Sequence, residues 1–109
     1  MQLRAKALTN VCAAYEQVDK IMRMQGFCRF RSHAPIYRLH MRDLASGQVY
    51  RLSLPTRQMK TRNETTLSLE QPKLEAASHL RRRQRNLAIP NEVIMAAQEK
   101  LEEIASYLK

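Results

Sequence analysis

The chain holds no tryptophan, two glycines and two cysteines, and its acids are outnumbered by its bases, 10 Asp and Glu against 19 Lys and Arg. Each shortage excludes something. Two isolated glycines, Gly26 and Gly47, cannot build the Gly-rich loop that cradles a phosphate at a helix N-terminus. Cys12 and Cys28 are too few and too unpatterned for a disulfide scaffold, and His33, His40 and His79 share no metal-ligand spacing with either of them. No apolar run nears the roughly 20 residues that a membrane span needs. The opening stretch, MQLRAKALTNVCAAY, is amphipathic, unlike a secretory leader. Cys12 has no evident histidine base, and the carboxylates of the last helix sit where solvent is expected. These shortages predict a cytoplasmic protein that is not an enzyme and needs no cofactor, metal or membrane.

What is present is a folded chain. Hydrophobic residues fill 44% of 109 positions, enough for one domain over 1–109 with a core of its own. Its clearest local pattern is Ile36 to Leu54, IYRLHMRDLASGQVYRLSL. Apolar and polar residues alternate at period two, the mark of half-buried strands. Tyr37, Leu39 and Met41 share one side with Tyr50, Leu52 and Leu54, and Arg38, His40 and Arg42 share the other with Val49, Arg51 and Ser53. Between the arms, Asp43 to Gly47 supplies an Asp that bonds its own backbone and a Gly for positive φ. Pairing Met41 with Tyr50, Leu39 with Leu52 and Tyr37 with Leu54 keeps apolar opposite apolar. A slip by one residue would mix the faces.

The flanks read less sharply. Leu3 to Met24 carries a helical stripe, including Leu8, Val11, Val18, Ile21 and Met22, stopped by Gly26. Phe27 to Arg31 is an edge strand with Arg29 and Arg31 on one side and Cys28 and Phe30 on the other. Pro55 ends the second hairpin arm, since it cannot donate to a ladder. Thr56 to Asn63 follows as a basic loop, then Glu64 to Leu69 as a third strand. Pro72 opens a sparsely anchored helix, so residues 73–88 form a weakly packed or mobile helical connector. Ile89-Pro90-Asn91 restarts the chain into a helix to Leu108, with Val93, Ala97, Leu101, Ile104 and Leu108 as its core stripe. The expected fold is α+β: a three- or four-stranded antiparallel sheet with one face covered by an N-terminal and a C-terminal helix. That element order is similar to that of double-stranded RNA-binding domains. Their basic motif at the last helix is replaced here by Ile89-Pro90-Asn91-Glu92-Val93, and no residue roles carry over.

The charge is concentrated. From Arg29 to Arg62 there are eight Lys or Arg and one acid, Asp43. Arg29, Arg31, Arg38, Arg42 and Arg51 are expected on the sheet side away from the helices, with Arg57, Lys60 and Arg62 continuing into the next loop. Arg81, Arg82, Arg83 and Arg85 form a second basic run. Arginines crowded on one sheet face repel, and a polyanion relieves that repulsion. The expected function is therefore binding of DNA or RNA through backbone contacts. Because Tyr37 and Tyr50 point inward, no outward aromatic is expected to read unpaired bases. The rival expectation is a self-associating interaction module, a homodimer in which the acidic helix face of Glu92, Glu99, Glu102 and Glu103 meets the basic sheet.

Overall fold

The computed structural model describes residues 1–30, 33–77 and 89–108. In chain order these form a 3-10 turn (Lys6–Leu8), β1 (Cys12–Ala14), α1 (Tyr15–Met24), β2 (Cys28–Phe30), β3 (Ile36–Arg42), β4 (Val49–Lys60), β5 (Thr65–Leu69), β6 (Lys73–Ala76) and α2 (Asn91–Leu108). The fold is α+β, and its six strands exceed the three or four expected.

The β3–β4 hairpin forms in the expected register, with Tyr37 opposite Leu54, Leu39 opposite Leu52 and Met41 opposite Tyr50. Its turn is held by Asp43, whose carboxylate accepts from the Ala45 amide at 3.3 Å and the Ser46 hydroxyl at 2.7 Å. Gly47 takes φ +73°, a left-handed conformation that costs glycine little.

The hairpin's second arm does not stop at Pro55. β4 runs on to Lys60 and pairs with β5, so the expected basic loop is a strand as far as Lys60. Two residues of β4, Leu54 and Pro55, lie between the pairs Ser53–Lys73 and Thr56–Leu69, against three on the other strand, Glu70, Gln71 and Pro72. That extra residue is a bulge. The Pro55 carbonyl accepts from the Glu70 amide at 2.9 Å. An N–H at Pro55 would face the same edge, where the bulge already interrupts the ladder, so its absence is tolerated.

The bulge also explains the strand found in place of a helix at Lys73–Ala76. It shifts the alternation by one, so that Leu69 faces inward opposite Thr56 and Leu74 faces inward opposite Leu52, five residues later. On the free side of β6 the N-terminal residues complete the pairing: Leu3 N–H donates to the Pro72 carbonyl at 3.0 Å, and Leu74 N–H to that of Met1 at 2.8 Å. With both edges satisfied, the strand wins over a helix that has few apolar anchors. The remainder of the expected connector, 78–88, lies outside the described residues.

The expected helix from Leu3 is likewise shortened at its start. Asn10 adopts φ +62°, and Cys12, Ala13 and Ala14 pair with Ser68, Leu67 and Thr66. Covering the open edge of β5 satisfies more backbone groups than extending α1 through Thr9 and Asn10, both weak helix formers. At its C-terminus α1 does stop at Gly26, φ +90°. The amides of Gly26 and Phe27 donate to the carbonyls of Arg23 and Met22, each at 3.0 Å, the double closure of a Schellman end.

One hydrophobic cluster joins these parts. Tyr37, Leu52, Leu54, Leu67 and Leu74 from the strands meet Val18 and Met22 of α1 and Val93, Ala97, Leu101 and Ile104 of α2. Leu52 is central, flanked by Leu39 and Leu74 on adjacent strands. We expect Leu52→Ala to lower unfolding free energy by about 2–5 kcal/mol in urea titrations. Leu44→Ala, at a side chain 92% exposed, should change it by no more than about 0.5 kcal/mol.

Candidate functional site

Cross-strand partners in an antiparallel sheet project to the same face, so the registers define what the outer side carries. Across β2, β3, β4 and β6, one row is Phe30, Ile36 and Pro55, and the next is Cys28, Arg38, Ser53 and Lys73. His40, Arg51 and Glu75 make a third, Arg42 and Val49 a fourth. Toward β1, Arg57, Ser68 and Cys12 lie side by side. This face thus bears Arg38, Arg42, Arg51, Arg57 and Lys73 with His40, against two carboxylates among the described residues, Glu75 beside Arg51 and Glu70 near Arg57 at the groove end.

Glu75 is spent on Arg51, its cross-strand partner, in a salt bridge with the Arg51 guanidinium. The hydrogen bond from Arg51, ahead of its charge, holds the Glu75 carboxyl below the usual carboxylate range against the opposing effect of burial. Arg38 lies over the Phe30 ring, its guanidinium carbon 4.5 Å from the centroid. Among the described residues, the buried Nε atoms of Arg38 and Arg51 meet no acceptor.

Arg29 is not on this face. It pairs with Tyr37 in register and so turns toward α1, where its Nη1 donates to Asp19 Oδ1 at 3.1 Å and Tyr15 Oη at 3.0 Å. The same Asp19 oxygen accepts from Tyr37 Oη at 2.9 Å, and its other oxygen holds Arg23 Nε at 3.1 Å. The Asp19 charge, then the charge interaction with the Tyr15 phenol, raises the Arg29 pKa further. Arg29 is therefore an internal pin, and the expected placement of Arg29 outside and Phe30 inside is reversed. Lys60 is also displaced: it shares a hollow with Tyr15, Glu16 and Glu64 on the inward-facing parity of β4. Arg62 sits exposed in the β4–β5 turn. Arg31 and the run Arg81, Arg82, Arg83 and Arg85 lie outside the described residues.

Three basic residues near or on this face escaped the sequence reading. Lys73 falls in the segment expected as a helix and found as β6. Arg4 and Lys6 join Arg57, Cys12, Ser68 and Glu70 around an open groove of about 690 Å³ between the N-terminal segment and β5. Arg4, four residues before Leu8, puts a charge on the apolar side of a helix begun at Leu3, and that is the signal in the sequence that the segment is not a helix there. Among the described residues no His, Cys, Asp and Glu group could hold a metal ion, and no helix is long and apolar enough to cross a membrane.

The architecture is that of a small α+β protein with an antiparallel sheet and two helices. A solved structure with a similar fold is that of the uncharacterized conserved protein YugN from Geobacillus kaustophilus HTA426. It matches at a TM-score of 0.79 and 16% identity, covering 99% of this chain and 94% of that one. At this identity the likeness concerns fold. No protein-family model matches the chain, and no curated protein matches it in sequence.

The pin at Asp19 has a pH signature. Burial first, then the hydrogen bond to Asp19, pushes the Tyr37 phenol well above its usual value. Above pH about 10 the unfolded chain releases that proton while the folded chain keeps it, so stability falls as pH rises from there. We expect Tyr37→Phe to cost about 1–2 kcal/mol near neutrality through the lost bond, and to flatten the alkaline decline when urea midpoints are compared between about pH 7 and 11.

Proposed function

We propose that this chain is a non-enzymatic, cytoplasmic binding protein for a polyanion, nucleic acid foremost, engaged through phosphate contacts from the outer sheet face. In this reading α1 and α2 cover the opposite face and leave the basic one to the ligand. The observation that carries it is the charge imbalance among the described residues: Arg38, Arg42, Arg51, Arg57 and Lys73 stand together against Glu75 and, at the groove end, Glu70. Like charges set across a sheet repel, and each phosphate bound offsets that repulsion while releasing counterions. Arg29 and Lys60 are dropped from the contact set because they turn toward α1.

A second reading is favoured by α2, whose Glu92, Glu99, Glu102 and Glu103 are exposed together with Met95 and Tyr107. That acidic, partly apolar face complements the basic sheet of another copy, which would make the chain a self-associating module.

Titrating binding of a mixed-sequence oligonucleotide against salt separates the two. Under the first reading affinity falls steeply with salt and is insensitive to sequence. Arg38→Ala and Arg42→Ala should each reduce the log–log salt slope by about 1, and Lys60→Ala should leave it unchanged. Absence of binding at low salt, with a dimer in sedimentation, would instead favour self-association.

A further inference from the structure

The outer face is not uniformly charged. Its first row, Phe30, Ile36 and Pro55, is apolar and spans three strands, and Phe30 is 41% exposed despite its size. The next row, two residues along and so about 7 Å away, is the basic one of Arg38 and Lys73. Arg38 bridges the rows by laying its guanidinium on the Phe30 ring. Among the described residues Arg38 forms no ion pair, and its buried Nε has no acceptor.

A ring stacked with a guanidinium is a flat surface suited to another π-system. On the same face Lys73 and Arg57 lie two to three strands across from it, roughly 10–15 Å away at about 4.8 Å per strand, within the span of a few nucleotides. Resting on the polyanion reading above, we infer that the ligand is single-stranded nucleic acid: one unpaired base stacks on the Phe30–Arg38 platform, while flanking phosphates meet Lys73, Arg42 and Arg57. A duplex keeps its bases paired and stacked inside, so it would contact the cations and leave the platform unused. This revises the expectation that no aromatic faces outward. Stacking on a single ring tolerates any base, so the preference is for strandedness rather than sequence.

Fluorescence anisotropy with three probes of equal length tests it: an oligothymidylate of about 12 nucleotides, an abasic phosphodiester strand, and a duplex. The oligothymidylate should bind on the order of tenfold more tightly than the abasic strand. Phe30→Leu should erase that difference with the salt slope intact, and Phe30→Trp should preserve it. Because Phe30 is on an exposed edge strand, both variants are checked for wild-type urea midpoints. Equal affinity for the base-bearing and abasic strands, preferential binding of the duplex, or an unchanged preference in Phe30→Leu would overturn the inference while the polyanion reading stands. Failure of all three probes to bind at low salt would remove both.

Discussion

Everything in this fold depends on the two-sidedness of β4. It carries β3 on one edge and both β6 and β5 on the other, and its twelve residues alternate without a break through Pro55. Tyr50, Leu52, Leu54 and Thr56 are buried on one side, while Arg51, Arg57 and Met59 project from the other. Because strand side chains alternate at period two, any slip of a neighbour by one residue would drive arginine into the core and leucine into water. Burial thus sets the register, and the register sets the position of every charge.

The bulge at residues 70–72 breaks that parity, and breaks it usefully. A single continuous strand pairing with all of β4 would put Leu74 on the outer face. The extra residue returns it to the core beside Leu52 and simultaneously removes the need for an amide hydrogen at Pro55. It also gives the N-terminal residues an edge to pair with, so the start of the chain and β6 stabilise each other. Local irregularity here is what allows a long central strand to keep one dry face.

Charge is sorted by the same geometry. Arg29, on the inner parity of β2, is taken up by Asp19 with Tyr37 and Tyr15. This polar cluster ties α1 to two strands and leaves no cation stranded against the core. On the outer parity, Glu75 meets Arg51, and among the described residues the rest of the basic set has no carboxylate as a cross-strand partner. The imbalance is therefore a property of one surface. A net charge of +9 alone could have been spread evenly. The outward turn of Phe30 belongs to this sorting too, since the side chains at 28 and 30 had to face away from α1 once Arg29 faced toward it.

Sequence by itself determined the hairpin from Ile36 to Leu54, its register and turn, the stop at Gly26 and the helix from Asn91 with its buried stripe. Each of these is written in neighbours a few residues apart, where period two, period 3.6 or a turn residue decides. The tertiary structure decided what needed a distant partner. Cys12–Ala14 became a strand because β5 offered an open edge. Lys73–Ala76 became one because β4 and the N-terminus bracketed it. Which side of β2 faces α1 was settled by the pairing of Arg29 with Tyr37, and three residues of FCRFR hold no periodicity long enough to fix that choice. Part of the candidate surface was therefore legible in the chain: Arg38, Arg42 and Arg51 sit on strands whose faces the alternation defines, whereas Arg57 was expected in a loop and gains its place on β4 from the pairing with β5. Lys73 and Phe30 were not, because edge pairing satisfies backbone hydrogen bonds between segments far apart in sequence, and no local pattern records it.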